Sequence, residues 1–143
     1  MKPVNMKLII ALSILFCTFY VNIFAQVSII ANKNVNIKAI DINKLTNLYN
    51  LQSNEAGSQK VKLFYLNSEN ETEKFFLSVL GKSFIELKKI WLKAKLTANG
   101  TPPETVSTDD EMIQKVSSIP NAVGFVDSKN VKGNVKVIEK LGE

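Results

Sequence analysis

The sequence predicts an α/β domain, a mixed β-sheet flanked by helices. The run Val61–Leu66 (VKLFYL) is apolar with little alternation, which suits a strand buried on both faces. Stretches with helical apolar spacing separate such runs, the order that packs helices onto a sheet. The segment Gly100–Val126 reads as a helix stop, a Pro-Pro break, a capped amphipathic helix and a small-residue strand.

The elements follow in chain order. Lys2 and Lys7 precede a mostly apolar run, Leu8–Phe24, and Ala25 offers a small residue before Gln26. Residues 1–25 are therefore expected to be a secretory signal peptide cleaved near Ala25. An uncleaved anchor is the alternative, since the run is near the lower length for spanning a bilayer. Cys17 follows Ile14-Leu15-Phe16 rather than small residues, which argues against a lipoprotein signal. Residues 26–143 then form one domain, periplasmic or secreted.

Val27–Ala31 is expected as the first strand, followed by a polar loop at 32–36. Asp41 can cap a helix carrying Leu45, Leu48 and Tyr49. The polar stretch Gln52–Gln59 reads as a loop. After the strand Val61–Leu66, the segment Asn67–Asn70 leads into a helix with Phe75, Phe76, Val79 and Leu80, and Gly81 ends it. Ser83 and Glu86 form a capping box for a third helix, with Phe84, Leu87 and Trp91 on one face. Asn99-Gly100 stops that helix. Ser107 and Thr108 are alternative caps of a fourth, whose first turn holds Asp109, Asp110 and Glu111. Ala122–Val126 is a strand in which Gly124 suggests close approach by a neighbour. Val135–Ile138 is the last strand.

Composition narrows function. Cleavage leaves about 118 of the 143 residues, with 16 lysines against 13 acids, an ordinary surface charge and no nucleic-acid footprint. There is no His, and no Cys beyond Cys17. No disulfide, no zinc or copper site and no Ser-His or Cys-His machinery is expected, so the reading is no metal, no cofactor and no enzyme. The chain also has no Arg, hence no guanidinium fork for a phosphate or carboxylate.

The order and spacing of Leu80-Gly81-Lys82-Ser83, Trp91, Gly100-Thr101-Pro102-Pro103 and Pro120–Val126 resemble the solute-binding proteins of phosphate ABC transporters, and more closely their short, single-lobe relatives. The resemblance implies one lobe of a type II periplasmic-binding-protein-like fold and non-covalent solute recognition. In that family the strand corresponding to Val61–Leu66 is followed by an Arg and a Gly-Ser-Gly-Thr turn, whose amides and hydroxyls hold the anion at a helix N-terminus. Here the stretch is Asn67-Ser68-Glu69-Asn70-Glu71-Thr72-Glu73, without the Arg or the glycines. A glutamate ~6 Å from a bound anion repels it by roughly 0.7 kcal/mol even in water, and more in a cleft. Phosphate is therefore not carried over.

The candidate ligand-binding residues are Asn67, Ser68, Asn70 and Thr72, on a strand-to-helix loop where α/β folds place ligands. The plainer reading is a helix cap with solvated glutamates matching the dipole. The acids at 109–111 read as dipole matching before a cation site. Lys88, Lys89, Lys93 and Lys95 read as a solvated helix face before a dock for an anionic surface. Trp91 reads as core. The partners that fit are a small solute or oxyanion, a second copy of the chain, or an envelope protein. A degenerate lobe serving as an envelope interaction or assembly module is the alternative function. Membrane contact is expected only through an uncleaved N-terminal segment.

Overall fold

The computed structural model describes residues 3–7, 9–10 and 25–142. Apart from Ile9 and Ile10, the apolar run Leu8–Phe24 with its Cys17 lies outside the described residues, as does most of the expected signal segment. No helix among the described residues is long and apolar enough to cross a membrane.

Five strands form the main sheet: β1 (Val27–Ala31), β4 (Lys62–Leu66), β5 (Glu104–Val106), β6 (Ala122–Asp127) and β7 (Lys136–Leu141). Their order is β5-β4-β6-β1-β7. Strand β4 runs parallel to both β5 and β6, while β1 is antiparallel to β6 and β7. The sheet is mixed, as the sequence predicts. Strands β1 and β4 sit inside it, and β1 is buried at every residue, which explains its lack of alternation. A separate two-residue hairpin, β2 (Glu55–Ala56) and β3 (Gln59–Lys60), turns at Gly57 with φ +68°.

A short 3-10 turn spans Ser128–Asn130, and four α-helices within residues 25–142 pack with the main sheet: α1 (Ile42–Tyr49), α2 (Glu71–Leu80), α3 (Phe84–Thr97) and α4 (Asp109–Ser118). Each start has a side-chain cap, from Asp41, Asn70, Ser83 and Thr108 respectively. The Ser83–Glu86 capping box forms with both of its hydrogen bonds. Gly81 closes α2 in the left-handed conformation, and α3 ends one residue before the expected stop, with Ala98 at φ +54°.

Helix α4 covers one face of the sheet and the aromatic cluster fills the other. Phe76 of α2 stacks on Phe125 of β6 at 3.7 Å between ring centroids. Tyr49 and Tyr65 close around them edge-on, and Trp91 packs edge-on against Tyr65. The Trp91 indole N–H donates to the Tyr49 carbonyl at 2.8 Å and the Tyr49 hydroxyl to the Phe64 carbonyl at 2.7 Å. The polar ends of these buried rings are therefore satisfied. Burial pushes the Tyr49 hydroxyl far above the ordinary phenol range. On the opposite face Gly124 lies under Met112, and a Cβ there would collide with its sulfur. The close approach expected at Gly124 is thus made by α4.

Candidate functional site

The loop from β4 to α2 lies at the carboxyl end of the parallel strands, where doubly wound sheets place ligands. Its geometry follows from three local choices. The Asn67 N–H donates to the Val106 carbonyl at 2.9 Å, extending the β4–β5 pairing by one residue. Glu69 takes φ +56°. The Asn70 side chain then accepts from the Glu73 N–H at 3.1 Å and starts the helix.

These choices aim two consecutive amides at one point, and the chain itself fills it. Glu73 Oε2 accepts from the Ser68 N–H at 2.9 Å and from the Glu69 N–H at 2.6 Å. Glu73 Oε1 accepts from the Tyr65 hydroxyl at 2.7 Å. Glu73 is only 3% exposed. Such a carboxylate is an internal anion, held by amides and the helix N-terminus as an external one would be. Burial, with the hydrogen bond to Glu73 and its charge adding to it, drives the Tyr65 hydroxyl far above the phenol range.

Glu73 therefore departs from its expected place as a solvated, dipole-matching acid. Glu71 keeps that place, exposed and paired with Lys74 at 3.0 Å. The sequence signal for the inward turn of Glu73 is the spacing Asn70-x-x-Glu73, a capping-box pattern. Here the acid reaches past the cap to the two residues before it.

The four candidate residues take different positions on this turn. The Asn67 and Asn70 residues are exposed, and Asn70 is engaged as the cap. Ser68 Oγ is buried with no hydrogen-bond partner among the described residues. Thr72 is buried and lines a cleft of about 450 Å³ with Gln26, Glu71, Asp127, Ser128 and Lys129. Asp127 ends β6, the parallel neighbour of β4, and Ser128 and Lys129 follow it, so the cleft straddles the ends of two strands. No residue-type pattern singles out Gln26 or the Asp127–Lys129 turn; the one sequence signal for them is their place at strand ends. The turn is held by the Ser28–Ser128 hydroxyl contact at 2.8 Å. A larger cavity of about 690 Å³ lies at the amino end of β4, lined by Leu51–Asn54, Lys60–Leu63 and Ala98–Pro102. It lies at the opposite end of β4 from the anion-type loop, whereas the smaller cleft adjoins that loop through Thr72.

The acids opening α4 are used locally. Asp109 Oδ2 accepts from the Asp127 N–H at 3.3 Å and from Asn130 Nδ2 at 2.7 Å. Asp110 pairs with Lys132 at 2.8 Å, and Glu111 accepts from the Ser107 N–H at 2.9 Å. Among the described residues no cluster of three His, Cys, Asp or Glu could hold a metal ion.

Solved structures share this fold. An ABC-type phosphate transport receptor from Vibrio cholerae superimposes with a TM-score of 0.63 at 20% identity, over 81% of this chain and 46% of that one. PstS from Borrelia burgdorferi gives 0.57 at 16% identity, over 81% and 48%. A substrate-binding protein of the phosphate ABC-transporter type from Clostridium perfringens, with bound phosphate, gives 0.63 at 13% identity, over 80% and 45%. The chain thus spans about half the length of these proteins, and its fold is one lobe of the periplasmic-binding-protein type. No protein-family model and no curated protein matches the sequence.

Proposed function

We propose that this chain is an exported, non-catalytic recognition module of the solute-binding type whose anion position is taken by its own Glu73. The supporting observation is the Glu73 carboxylate on the Ser68 and Glu69 amides. A free phosphate would have to displace a tethered, buried carboxylate and then sit near Glu69 and Glu71, with no Arg available anywhere in the chain. The cleft beside it, lined by hydroxyl, amide, acid and one Lys side chain, suits a neutral or zwitterionic polar solute. Thr72 is the site residue in it, and Asn67, Ser68 and Asn70 belong to the adjoining turn. The described residues supply one wall of such a cleft, and the structural neighbours are about twice as long.

Thermal-shift titration tests this. Phosphate and sulfate leave the melting temperature unchanged, while one or more polyols or amino acids raise it. A phosphate-dependent rise in the wild-type chain sinks the proposal. The filling of the turn by Glu73 also supports a second reading, an envelope assembly module. It is favoured if no solute stabilises the chain while an envelope protein co-purifies with it.

A further inference from the structure

Helix α3 carries an unpartnered face that the solute-binding reading does not use. Of the four large apolar side chains exposed within residues 25–142, three lie on this helix: Ile85 at 66%, Leu92 at 58% and Leu96 at 77%. At 3.6 residues per turn they fall within about 40° of one another and span ~16 Å of helix. The buried side of α3, Leu87, Trp91 and Ala94, faces away from them into the core.

Lysines border this stripe on both sides. Lys89 and Lys93 lie about 40–80° to one side, and Lys88 and Lys95 about 60–80° to the other. All four are exposed and make no ion pair with any described residue. The one acid on the helix, Glu86, lies beyond Lys89 and is bound to the Ser83 N–H at 2.7 Å. An apolar ridge between two rows of flexible ammonium groups is the pattern of a helix lying in a bilayer interface, with the lysine stems reaching the headgroups. A second copy pairing through the same stripe would bring lysines against lysines. A protein groove would need acidic rims on both sides, whereas an anionic lipid surface supplies them wherever the ridge lands.

We propose that α3 docks on anionic lipid, with Ile85, Leu92 and Leu96 in the interface and the four lysines among the headgroups. The test uses the full chain in a Cys17→Ser background. An environment-sensitive fluorophore is placed at Leu92→Cys or, as control, at Gln114→Cys, an exposed site on α4 across the sheet. Vesicles of phosphatidylcholine with phosphatidylglycerol blue-shift the label at 92 and leave the label at 114 unchanged. Combined Lys88→Gln, Lys89→Gln, Lys93→Gln and Lys95→Gln weakens that shift about tenfold or more. The two labelled sites separate docking of α3 from any general recruitment by the N-terminal segment. No shift at 92, an equal shift at 114, indifference to the lysine substitutions, or the same shift with poly-glutamate in place of lipid each overturns the proposal.

Discussion

The Tyr65 hydroxyl donates a 2.7 Å hydrogen bond to the carboxylate of Glu73, eight residues downstream and on the far side of the turn. This contact joins the inner strand β4 to the first turn of α2 inside the core. With the two amides it gives Glu73 three donors, enough to keep a buried carboxylate from being an uncompensated charge. Glu73→Ala strips all three donors of their acceptor and costs about 3 kcal/mol in urea unfolding. Tyr65→Phe costs about 1–2 kcal/mol. The double variant falls short of the sum by about 1 kcal/mol or more, because the two groups share one interaction. Strict additivity would separate Tyr65 from the turn.

The same substitution bears on ligand choice. In Glu73→Ala the Ser68 and Glu69 amides lose their internal anion while Asn70 still caps the helix. Adding Glu69→Gln and Glu71→Gln removes the nearby repulsion. Phosphate then stabilises the triple variant, by about 1.4 kcal/mol at ten times its dissociation constant, and leaves the wild-type chain unmoved. A triple variant as indifferent to phosphate as the wild type would show that the turn has lost anion geometry as well as charge.

How much of this was legible in the sequence depends on the range of the contacts. Local signals held well: the Asp41 cap, the Ser83–Glu86 box, the Gly81 terminator and the unbroken apolar run of β4 all act within a few residues. The hairpin β2–β3 falls in the stretch expected as loop because its strands are two residues long and mostly polar, although Gly57-Ser58 is a two-residue hairpin turn. Strand β5 leaves no sequence signal because Glu104–Val106 is short with only Val106 buried, and pairing with β4 makes it a strand. At the candidate site the pattern located the turn but not its occupant. Whether an acid in a first helical turn faces water or the core depends on Tyr65, and that follows from how β4 and α2 pack.

Asn32 shows how a loop polar residue can anchor a helix. Its Nδ2 donates to the carbonyls of Val116 at 2.9 Å and of Ser117 and Ile119 at 3.0 Å, closing the end of α4. Asn32→Ala leaves these acceptors without that donor and costs about 1–3 kcal/mol. Asn32→Asp is worse, because it places a carboxylate against carbonyl oxygens at the negative end of the helix dipole. Equal stability of the Ala and Asp variants would remove Asn32 from this role.

Gly124 is required by packing rather than by backbone conformation. A Cβ at this position meets the Met112 sulfur beneath α4, and Met112 is fully buried. Gly124→Ala therefore costs about 1–3 kcal/mol by overpacking. Shortening the neighbour in Gly124→Ala/Met112→Val recovers part of that loss. A double variant less stable than Gly124→Ala alone would place the strain elsewhere in the sheet.

The buried tyrosines set an alkaline limit to stability. Burial raises the hydroxyls of Tyr49 and Tyr65 above their ordinary value near 10, and at Tyr65 the neighbouring Glu73 raises it further. Both stay protonated in the fold, while the unfolded chain loses these protons above about pH 10. The folded state then binds more protons than the unfolded one, so stability falls as pH rises. The fall is about 1.4 kcal/mol per pH unit for each tyrosine, beginning near the unfolded value. Their contribution is fully present below pH 10 and is lost progressively above it. Ultraviolet titration of tyrosinate, run beside circular dichroism, checks this: the absorbance from Tyr49 and Tyr65 rises only with the loss of helical signal. Reversible ionisation of both near pH 10 in a folded chain would mean that their hydroxyls are not held in the core.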